Sequence, residues 1–312
     1  MIKITNVGNK IWDLEYRTID ILKEYKTQGS VDILFNGEGP CCEHIGLYKL
    51  LDYLQFDPTK VTIHTHNLLE KHDRYKIKIY PGQIARLLTG RVKNVNINKS
   101  CITKHFSCFI GRNSWVRLWI ISQLPKDKTF ITFSYNGDEY YRNSVEIDQM
   151  FRHDASINDI QTAVNFLADS PYTLENTLPY WPRLFNDYWI KNIMPDGLVD
   201  YYNQFFCEIV CETYFSGNTF FPTEKTLRPI ILSTPFIIHG PVNFLRNLKK
   251  LGYKTFDRWW SEEYDMYGEQ LRIYKIQEVI KQISSWSIEK IQTINEEMQP
   301  TLKHNRDILL ST

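Results

Sequence analysis

Apolar positions in the first quarter of the chain change their spacing twice, which predicts a strand, a helix and a second strand. The near-continuous apolar run Val31–Phe35 indicates a buried strand, and the turn formers of Asn36–Pro40 follow it. Apolar residues then recur at helical spacing from Ile45 to Leu54, before the β-rich run Val61–Thr65. This order is typical of a parallel sheet, in which ligands bind beyond the carboxyl ends of the strands. We therefore expect the turn at Asn36–Pro40 to lie at the edge of a binding site.

The same alternation returns in the second part of the chain. Strand-like runs near 106–110, 130–134, 205–213 and 235–240 alternate with helical patterns. The polar stretch 89–104 marks a domain boundary near residue 100, and the charged, periodic segment from about Gly268 to Glu297 predicts a long terminal helix. The prediction is an α/β fold with two Rossmann-like domains that face a cleft. The predicted divisions are domains at 1–100 and 101–267 and a helical tail at 268–312 that packs back across the domains.

Composition narrows the class of protein. Of the 312 residues, 43% are hydrophobic and 23% charged, which is ordinary for a soluble globular protein. The chain begins without the apolar run of a signal peptide, and no apolar stretch reaches the roughly 20 residues that span a bilayer. We expect a cytoplasmic protein with no membrane partner, whose six cysteines are free thiols.

The net charge differs slightly between the two parts of the chain. Residues 1–100 hold 15 Lys and Arg against 11 Asp and Glu, a balance of +4, and residues 101–312 hold 22 against 25, a balance of −3. This lean is smaller than the basic stripe of many nucleic-acid-binding proteins. It is compatible with a polyanionic partner and does not require one.

The segment Pro222–Pro229 carries the most informative chemistry. Thr223 is a good N-cap, and the backbone N–H groups of the helical turn after it form an anion site. Lys225 and Arg228 are three residues apart on one helix face, where a cation pair suits a diphosphate. Glu224 can accept hydrogen bonds from the two hydroxyls of a ribose. The alternative is a capped surface helix whose charged side chains are solvated.

Two arginines favour the first interpretation. Arg112 and Arg117 follow the strand at 106–110, and in the predicted arrangement that turn opens towards the same cleft as residue 223. Guanidinium groups bind phosphate oxygens through paired hydrogen bonds. The two segments together therefore predict a site for a nucleotide diphosphate.

These segments, in this order, resemble the donor site of the alpha-1,3-fucosyltransferase family. The likeness comprises Glu212–Phe215, Phe221–Thr226, Arg228-Pro229 and Pro235-Phe236, with Phe106–Phe109, Asn113, Arg117 and Leu124 upstream. The resemblance implies a glycosyltransferase of the GT-B type, in which Arg117 contacts the donor pyrophosphate, Glu224 the ribose and Lys225 a phosphate. The whole expected donor-binding set is Arg112, Arg117, Glu212, Tyr214, Thr223, Glu224, Lys225 and Arg228.

The chain is also similar to glycosyltransferase-like proteins of tailed bacteriophages and other large DNA viruses. The shared features are the turn Asn36–Pro40, the Ile63–Thr65 stretch, and the runs Leu251–Phe256, Trp259-Trp260 and Glu263–Asp265. This likeness implies an enzyme in the cytoplasm of an infected host cell. It also implies a partner, double-stranded DNA with hydroxymethylated pyrimidines, that would accept the sugar.

The family resemblance implies inverting transfer without a metal, and the chain has no Asp-x-Asp motif. Inversion requires a general base, and Glu38 is predicted for this role because it lies on a Gly-flanked turn at the expected sheet edge. His64 and His66 alternate onto one face of a strand end and are predicted to line the acceptor pocket. Without a third ligand they make a poor zinc site, so neither a metal nor a cofactor is expected besides the nucleotide-sugar donor.

The predicted function is therefore an inverting, metal-independent glycosyltransferase that moves a sugar from a nucleotide-diphosphate donor to an acceptor hydroxyl. Two alternatives remain open: a cytosolic enzyme that modifies a glycan or a protein, and a nucleotide-binding protein without catalytic activity.

Overall fold

A computed structural model describes residues 1–4, 6–7, 11–12, 14–35, 39–80, 97–111, 113–133, 139–174 and 197–311. In this part of the chain the fold is mixed α/β, with two four-stranded parallel sheets. The chain divides into two compact units. The first comprises Met1–Gln83 together with Tyr214–Phe221, and the second comprises Ile84–Thr213 and Pro222–Thr312.

The sheet of the first unit has the parallel strand order β1-β4-β5-β6. Its strands are β1 (Ile2–Ile4), β4 (Val31–Phe35), β5 (Val61–Thr65) and β6 (Lys76–Ile79), and β2 (Asn6–Val7) pairs with β3 (Ile11–Trp12) in a separate antiparallel ribbon. The helices are α1 (Leu14–Gln28), α2 (Leu47–Tyr53) and the 3-10 helix Pro58–Lys60. The two predicted strands and the helix between them are thus confirmed, whereas residues 36–38 of the predicted turn lie outside the described residues.

Apolar side chains at alternate positions of the strands form the core of the first unit. Val31, Ile33 and Phe35 of β4 are buried, and Ile33 pairs with Ile2 on one side and Ile63 on the other. Leu47 and Leu51 of α2, one helical turn apart, are fully buried in the same hydrophobic cluster. The helix therefore forms because its apolar stripe covers the apolar sheet.

The segments after β4 and β5 pack tightly on each other at the carboxyl end of this sheet. A Cβ atom added at Gly39 would lie 2.3 Å from the backbone nitrogen of Asn67, so only glycine fits there. The side-chain oxygen of Asn67 accepts the N–H of Phe220 at 2.9 Å, and the N–H of Leu68 donates to the Phe220 carbonyl at 2.9 Å. Asn67 thereby holds the segment Tyr214–Phe221 in the first unit.

The sheet of the second unit has the parallel strand order β8-β7-β9-β10. Its strands are β7 (Lys104–Ile110), β8 (Thr129–Phe133), β9 (Phe205–Cys211) and β10 (Phe236–His239). Its helices are α3 (Trp115–Ser122), α4 (Glu139–Arg152), α5 (Ile157–Ala168), α6 (Leu198–Tyr202), α7 (Glu224–Ile231), α8 (Phe244–Lys250), α9 (Glu269–Ser284) and α10 (Ile288–Ser311). Three 3-10 helices lie at Lys99–Cys101, Lys126–Lys128 and Glu263–Met266.

The core of the second unit surrounds β9 and β10, which are buried at every position. Such burial is typical of a central strand such as β9 in a parallel sheet that is covered on both faces, and here the edge strand β10 is buried as well. Helix α9 contacts β10, and α10 contacts α7, each through a buried apolar stripe. The segment 268–312, which was predicted to be a helical tail, is part of the second unit. None of the described helices has the length and apolar character needed to cross a membrane.

A half-buried lysine contributes a pH-dependent element to the second unit. The ammonium group of Lys99 donates to the carbonyl of Phe205 at 2.6 Å and lies 4.5 Å from the centre of the Phe205 ring. Burial lowers the pKa of Lys99 from its ordinary 10.5 to about 7, against the opposing influence of Cys207 and Glu208. Between these two pH values the unfolded chain binds more protons at this residue than the folded chain does.

We predict that Lys99→Met flattens the dependence of stability on pH. Because the unfolded state binds the extra proton, the Lys99 contribution makes the protein less stable as the pH falls from about 10 to about 7. Urea unfolding at pH 7, 8 and 9 measures the free energy of unfolding of both proteins. The contributions of the other titrating groups cancel in the difference between variant and wild type. The variant should gain stability relative to wild type as the pH is lowered. Parallel pH profiles would show that Lys99 is charged at neutral pH in the folded protein.

Candidate functional site

The order of strands in the second sheet reverses between β7 and β9. The chain runs from β7 to β8 on one side and then returns to place β9 on the other side of β7. In open parallel sheets, ligands bind beyond the carboxyl ends of the strands at such a reversal. The residues after Ile110 and after Cys211 lie at this edge, and they include the two segments singled out in the sequence.

Arg117 joins the ends of these two strands. Ser114 caps α3, and its hydroxyl accepts the backbone N–H of Arg117 at 3.4 Å. One guanidinium nitrogen of Arg117 donates to the backbone carbonyl of Glu212 at 3.0 Å. Arg117 therefore lies at the strand reversal, whereas Arg112 falls outside the described residues.

Glu212, directly after β9, organises the start of α7. Its buried carboxylate accepts the backbone N–H of Thr223 at 3.0 Å and the hydroxyl of Thr223 at 2.7 Å. It also accepts the Thr226 hydroxyl and the backbone N–H of Thr213. Four hydrogen bonds occupy this carboxylate within the fold, so the structure corrects the prediction of Glu212 as a donor contact and gives it a positioning role.

Lys225 occupies the space between the end of β9 and the first turn of α7. Its ammonium group donates to the hydroxyls of Thr213 at 3.2 Å and Thr223 at 3.4 Å and to the carboxylate of Glu224 at 2.7 Å. Thr223 caps the helix and accepts the backbone N–H of Lys225 at 3.3 Å. The predicted N-cap is thus confirmed, and a cation stands at the positive end of the helix dipole.

Glu224 remains charged at this helix start. Burial alone would raise its pKa, but the charge of Lys225 and the hydrogen bond from it produce a net lowering. The side chains of Glu224 and Lys225 are 23% and 22% exposed, so a ligand can reach both. Chemically, the pair offers a carboxylate for hydroxyl groups and an ammonium group for phosphate oxygens, which are the two roles predicted from the sequence.

Arg228 lies elsewhere and corrects the prediction of an exposed cation pair. It is 4% exposed, and its guanidinium donates to the Glu208 carboxylate at 2.8 Å and to the Tyr202 hydroxyl at 2.8 Å. The Tyr202 hydroxyl in turn donates to Glu208, and the guanidinium lies 5.5 Å from the Phe109 ring centre. Leu227 and Ile230 are also buried, because α7 packs between β9 and α10. Arg228 therefore stabilises the core of the second unit.

The two predicted histidines share one partner in the first unit. The Nε2 atom of His64 lies 2.7 Å from the Asp32 carboxylate, and its Nδ1 atom lies 2.8 Å from the Tyr80 hydroxyl. His66 Nδ1 lies 2.8 Å from the backbone carbonyl of Tyr80. A carboxylate that orients an imidazole next to a hydroxyl is an arrangement suited to proton transfer. The hydrogen bond from His64 lowers the pKa of Asp32, which keeps that carboxylate charged.

Glu38, the predicted general base, lies outside the described residues. Tyr214 belongs to the segment 214–221 of the first unit, whereas Thr213 belongs to the second. Among the residues that the structure describes, no group of three or more His, Cys, Asp or Glu side chains could hold a metal ion.

Comparisons with protein-family models, with characterised proteins and with solved structures found no match to this chain. The assignment of the site therefore depends on its own geometry.

Sequence reasoning missed three contributors to these arrangements. Thr213 and Thr226 were not singled out, although threonines around a helix start commonly cap it. Glu208 was the clearest available signal, because a single carboxylate inside the apolar run 205–211 must be paired when buried. In the structure, Arg228 is the cation that pairs with Glu208.

We predict that Arg228→Ala destabilises the second unit by about 3–5 kcal/mol, because it leaves Glu208 buried without its cation. Urea unfolding measures this free energy. Arg152→Ala is the matched control, since the Arg152–Asp148 pair is exposed and such pairs contribute less than about 1 kcal/mol. If Arg228→Ala left stability unchanged and instead abolished ligand binding, the core role of Arg228 would be excluded.

Proposed function

We propose that the chain is a glycosyltransferase that binds the diphosphate of a nucleotide-sugar donor at the strand reversal of the second unit. The observation that carries the proposal is the position of Lys225. Its ammonium group lies at the start of an eight-residue helix, beside the end of β9, at the edge where parallel sheets bind ligands. A cation and a helix N-terminus at that edge suit a phosphate group.

The donor set in this proposal is smaller than the one predicted from the sequence. Lys225 and Arg117 supply positive charge, and the hydroxyl of Thr213 supplies a neutral donor next to them. Glu224 accepts the ribose hydroxyls. Glu212, Thr223 and Arg228 hold these groups in place through buried contacts and do not contact the donor.

Charge neutralisation is the main chemical contribution of this site. When the bond between the anomeric carbon and the diphosphate oxygen breaks, a further negative charge develops on the terminal phosphate of the leaving nucleoside diphosphate. Cations and N–H donors that already point at this position stabilise the transition state more than the ground state. We propose that Lys225 and Arg117 have this role in an inverting transfer that needs no metal, as the family resemblance implies.

The acceptor proposed from the second resemblance is a hydroxymethylated pyrimidine in double-stranded DNA. The base must leave the helical stack to reach a catalytic site, and the enzyme must contact the phosphate backbone. The net charge of +4 in residues 1–100 is compatible with such contacts. His64 and Glu38 are the acceptor-side residues in this proposal, which also retains the GT-B arrangement of the two units.

Lys225→Ala tests the donor site. Because a hydrogen bond to a charged group contributes about 1.5–3 kcal/mol, the variant should bind nucleoside diphosphates about 10- to 150-fold more weakly. Isothermal titration calorimetry with UDP, GDP, ADP and CDP measures the affinity. Lys225→Arg, which keeps the charge, should retain part of it.

Lys126→Ala is the matched control, because Lys126 is a half-exposed lysine of the same unit that pairs with Asp169. It should bind the diphosphates as wild type does. Equal affinities for Lys225→Ala and wild type would remove Lys225 from the site. Failure of all four diphosphates to bind the wild-type protein would contradict the proposed function.

A further inference from the structure

A pocket of about 500 Å³ lies in the second unit, away from the residues of the donor site. It is lined by the chain from Lys249 to Trp259, which follows α8, and by the part of α10 around Pro300. Its volume falls within the range of about 300–1,000 Å³ that is common for small-molecule sites. None of the side chains proposed to bind the donor lines this pocket.

Two aromatic residues, Tyr253 and Trp259, line the pocket, and the Tyr253 hydroxyl is a polar group among them. The indole N–H of Trp259 donates to the Glu297 carboxylate at 3.2 Å, which holds the ring in place. Tyr253 is 7% exposed, and its hydroxyl makes no hydrogen bond to any other residue in the part of the chain that the structure describes. The hydroxyl is not among the buried polar atoms that lack a partner, so it is accessible from the pocket and can bond to a ligand there.

The lining carries three cations, Lys249, Lys254 and Arg258, and two carboxylates, Asp257 and Glu297, so its net charge is +1. Lys249 is neutralised by Asp257, at 2.7 Å, and by Glu262, at 3.5 Å. Lys254 and Arg258 are exposed, and neither forms an ion pair with a carboxylate in the described part of the chain. The guanidinium of Arg258 instead lies 5.6 Å from the centre of the Trp259 ring. An anionic group is therefore the complement of this rim.

We propose that this pocket binds a nucleotide unit, with its base against Trp259, a polar atom at the Tyr253 hydroxyl, and its phosphate at Lys254 and Arg258. Base stacking on aromatic side chains combined with phosphate contacts from nearby cations is the general way in which proteins hold single nucleotides of a strand. A neutral sugar would leave the two cations without a complement, and inorganic phosphate would leave the rings unused. The same chemistry fits a free nucleotide and a nucleotide within a single strand.

Calorimetry at low salt tests this proposal on the full chain carrying Lys225→Ala, in which binding of nucleotides at the donor site is weakened. The probes are AMP and a twelve-residue thymidine oligonucleotide. AMP should bind, and ribose 5-phosphate, which lacks the base, should bind at least tenfold more weakly. The oligonucleotide distinguishes the two sources. Tighter binding than AMP, with a steep loss of affinity as salt is added, indicates a strand, and weaker binding indicates a free nucleotide.

Two further substitutions in this background locate the ligand. Tyr253→Phe removes a hydroxyl that the described fold does not use, so the melting temperature should stay unchanged while the affinity for AMP falls about three- to tenfold. Lys254→Ala should lower the affinity for AMP by a similar factor and reduce the dependence of that affinity on salt. Lys303 is an 80% exposed lysine outside the pocket, so Lys303→Ala should change neither the affinity for AMP nor its salt dependence.

The proposal is overturned if neither probe binds, if ribose 5-phosphate binds as tightly as AMP, or if Tyr253→Phe and Lys254→Ala both bind AMP as their parent does. Each of these results leaves the donor site untested, because Lys225 is already replaced. Conversely, loss of diphosphate binding through Lys225→Ala with AMP binding retained shows two separate sites.

Discussion

The carboxylate of Glu212 ties the carboxyl end of β9 to the start of α7, and the candidate site depends on this tie. Its oxygens accept hydrogen bonds from both the backbone and the hydroxyl of Thr223, from Thr226 and from Thr213. A buried carboxylate with so many donors is strongly fixed, because the loss of any donor would leave a desolvated charge. The tie places the ammonium group of Lys225 at the point where the strand order reverses.

A second buried network anchors the same helix one turn further along. Arg228, Glu208 and Tyr202 are bonded to one another between α7, β9 and α6. Such a network is a costly way to fill a core, and an apolar replacement of similar volume can be equally stable. It does, however, fix the rotation of α7 about its axis, because the guanidinium must face Glu208. Residues at the helix start, including Lys225, are then directed to the sheet edge.

The sequence predicted the elements of this fold better than their assembly. Periodicity located β4, α2 and β5, and the N-cap at Thr223 is where the structure has it. The spacing of Lys225 and Arg228 led to a wrong prediction for Arg228. Residues three apart on a helix are neighbours, but their spacing does not determine which of the two side chains faces water. Only the tertiary packing of α7 against β9 and α10 decides that. A domain boundary, such as the one predicted near residue 100, also depends on long-range contacts.

Some of the candidate site could have been read from local signals and some could not. Glu208, a single carboxylate within an apolar strand, is a signal of buried pairing that the sequence analysis did not use. Its partner could not have been identified, because Lys99, Arg117 and Arg228 were all available cations. The connection from Asp32 through His64 to Tyr80 joins residues from three strands of the first sheet or their ends. No spacing rule links them, because parallel strands pair over long and variable separations.

The central claim is that the strand reversal of the second unit binds the diphosphate of a sugar donor so that the sugar can be transferred. Mass spectrometry of DNA containing hydroxymethylated pyrimidines, after incubation of the protein with UDP-, GDP- and ADP-linked sugars, tests it most directly. The account predicts that one nucleotide sugar is consumed, that its nucleoside diphosphate is released, and that the modified base gains the mass of one sugar residue. If no nucleotide sugar is consumed, with this DNA or with glycan and protein acceptors, the glycosyltransferase assignment is contradicted.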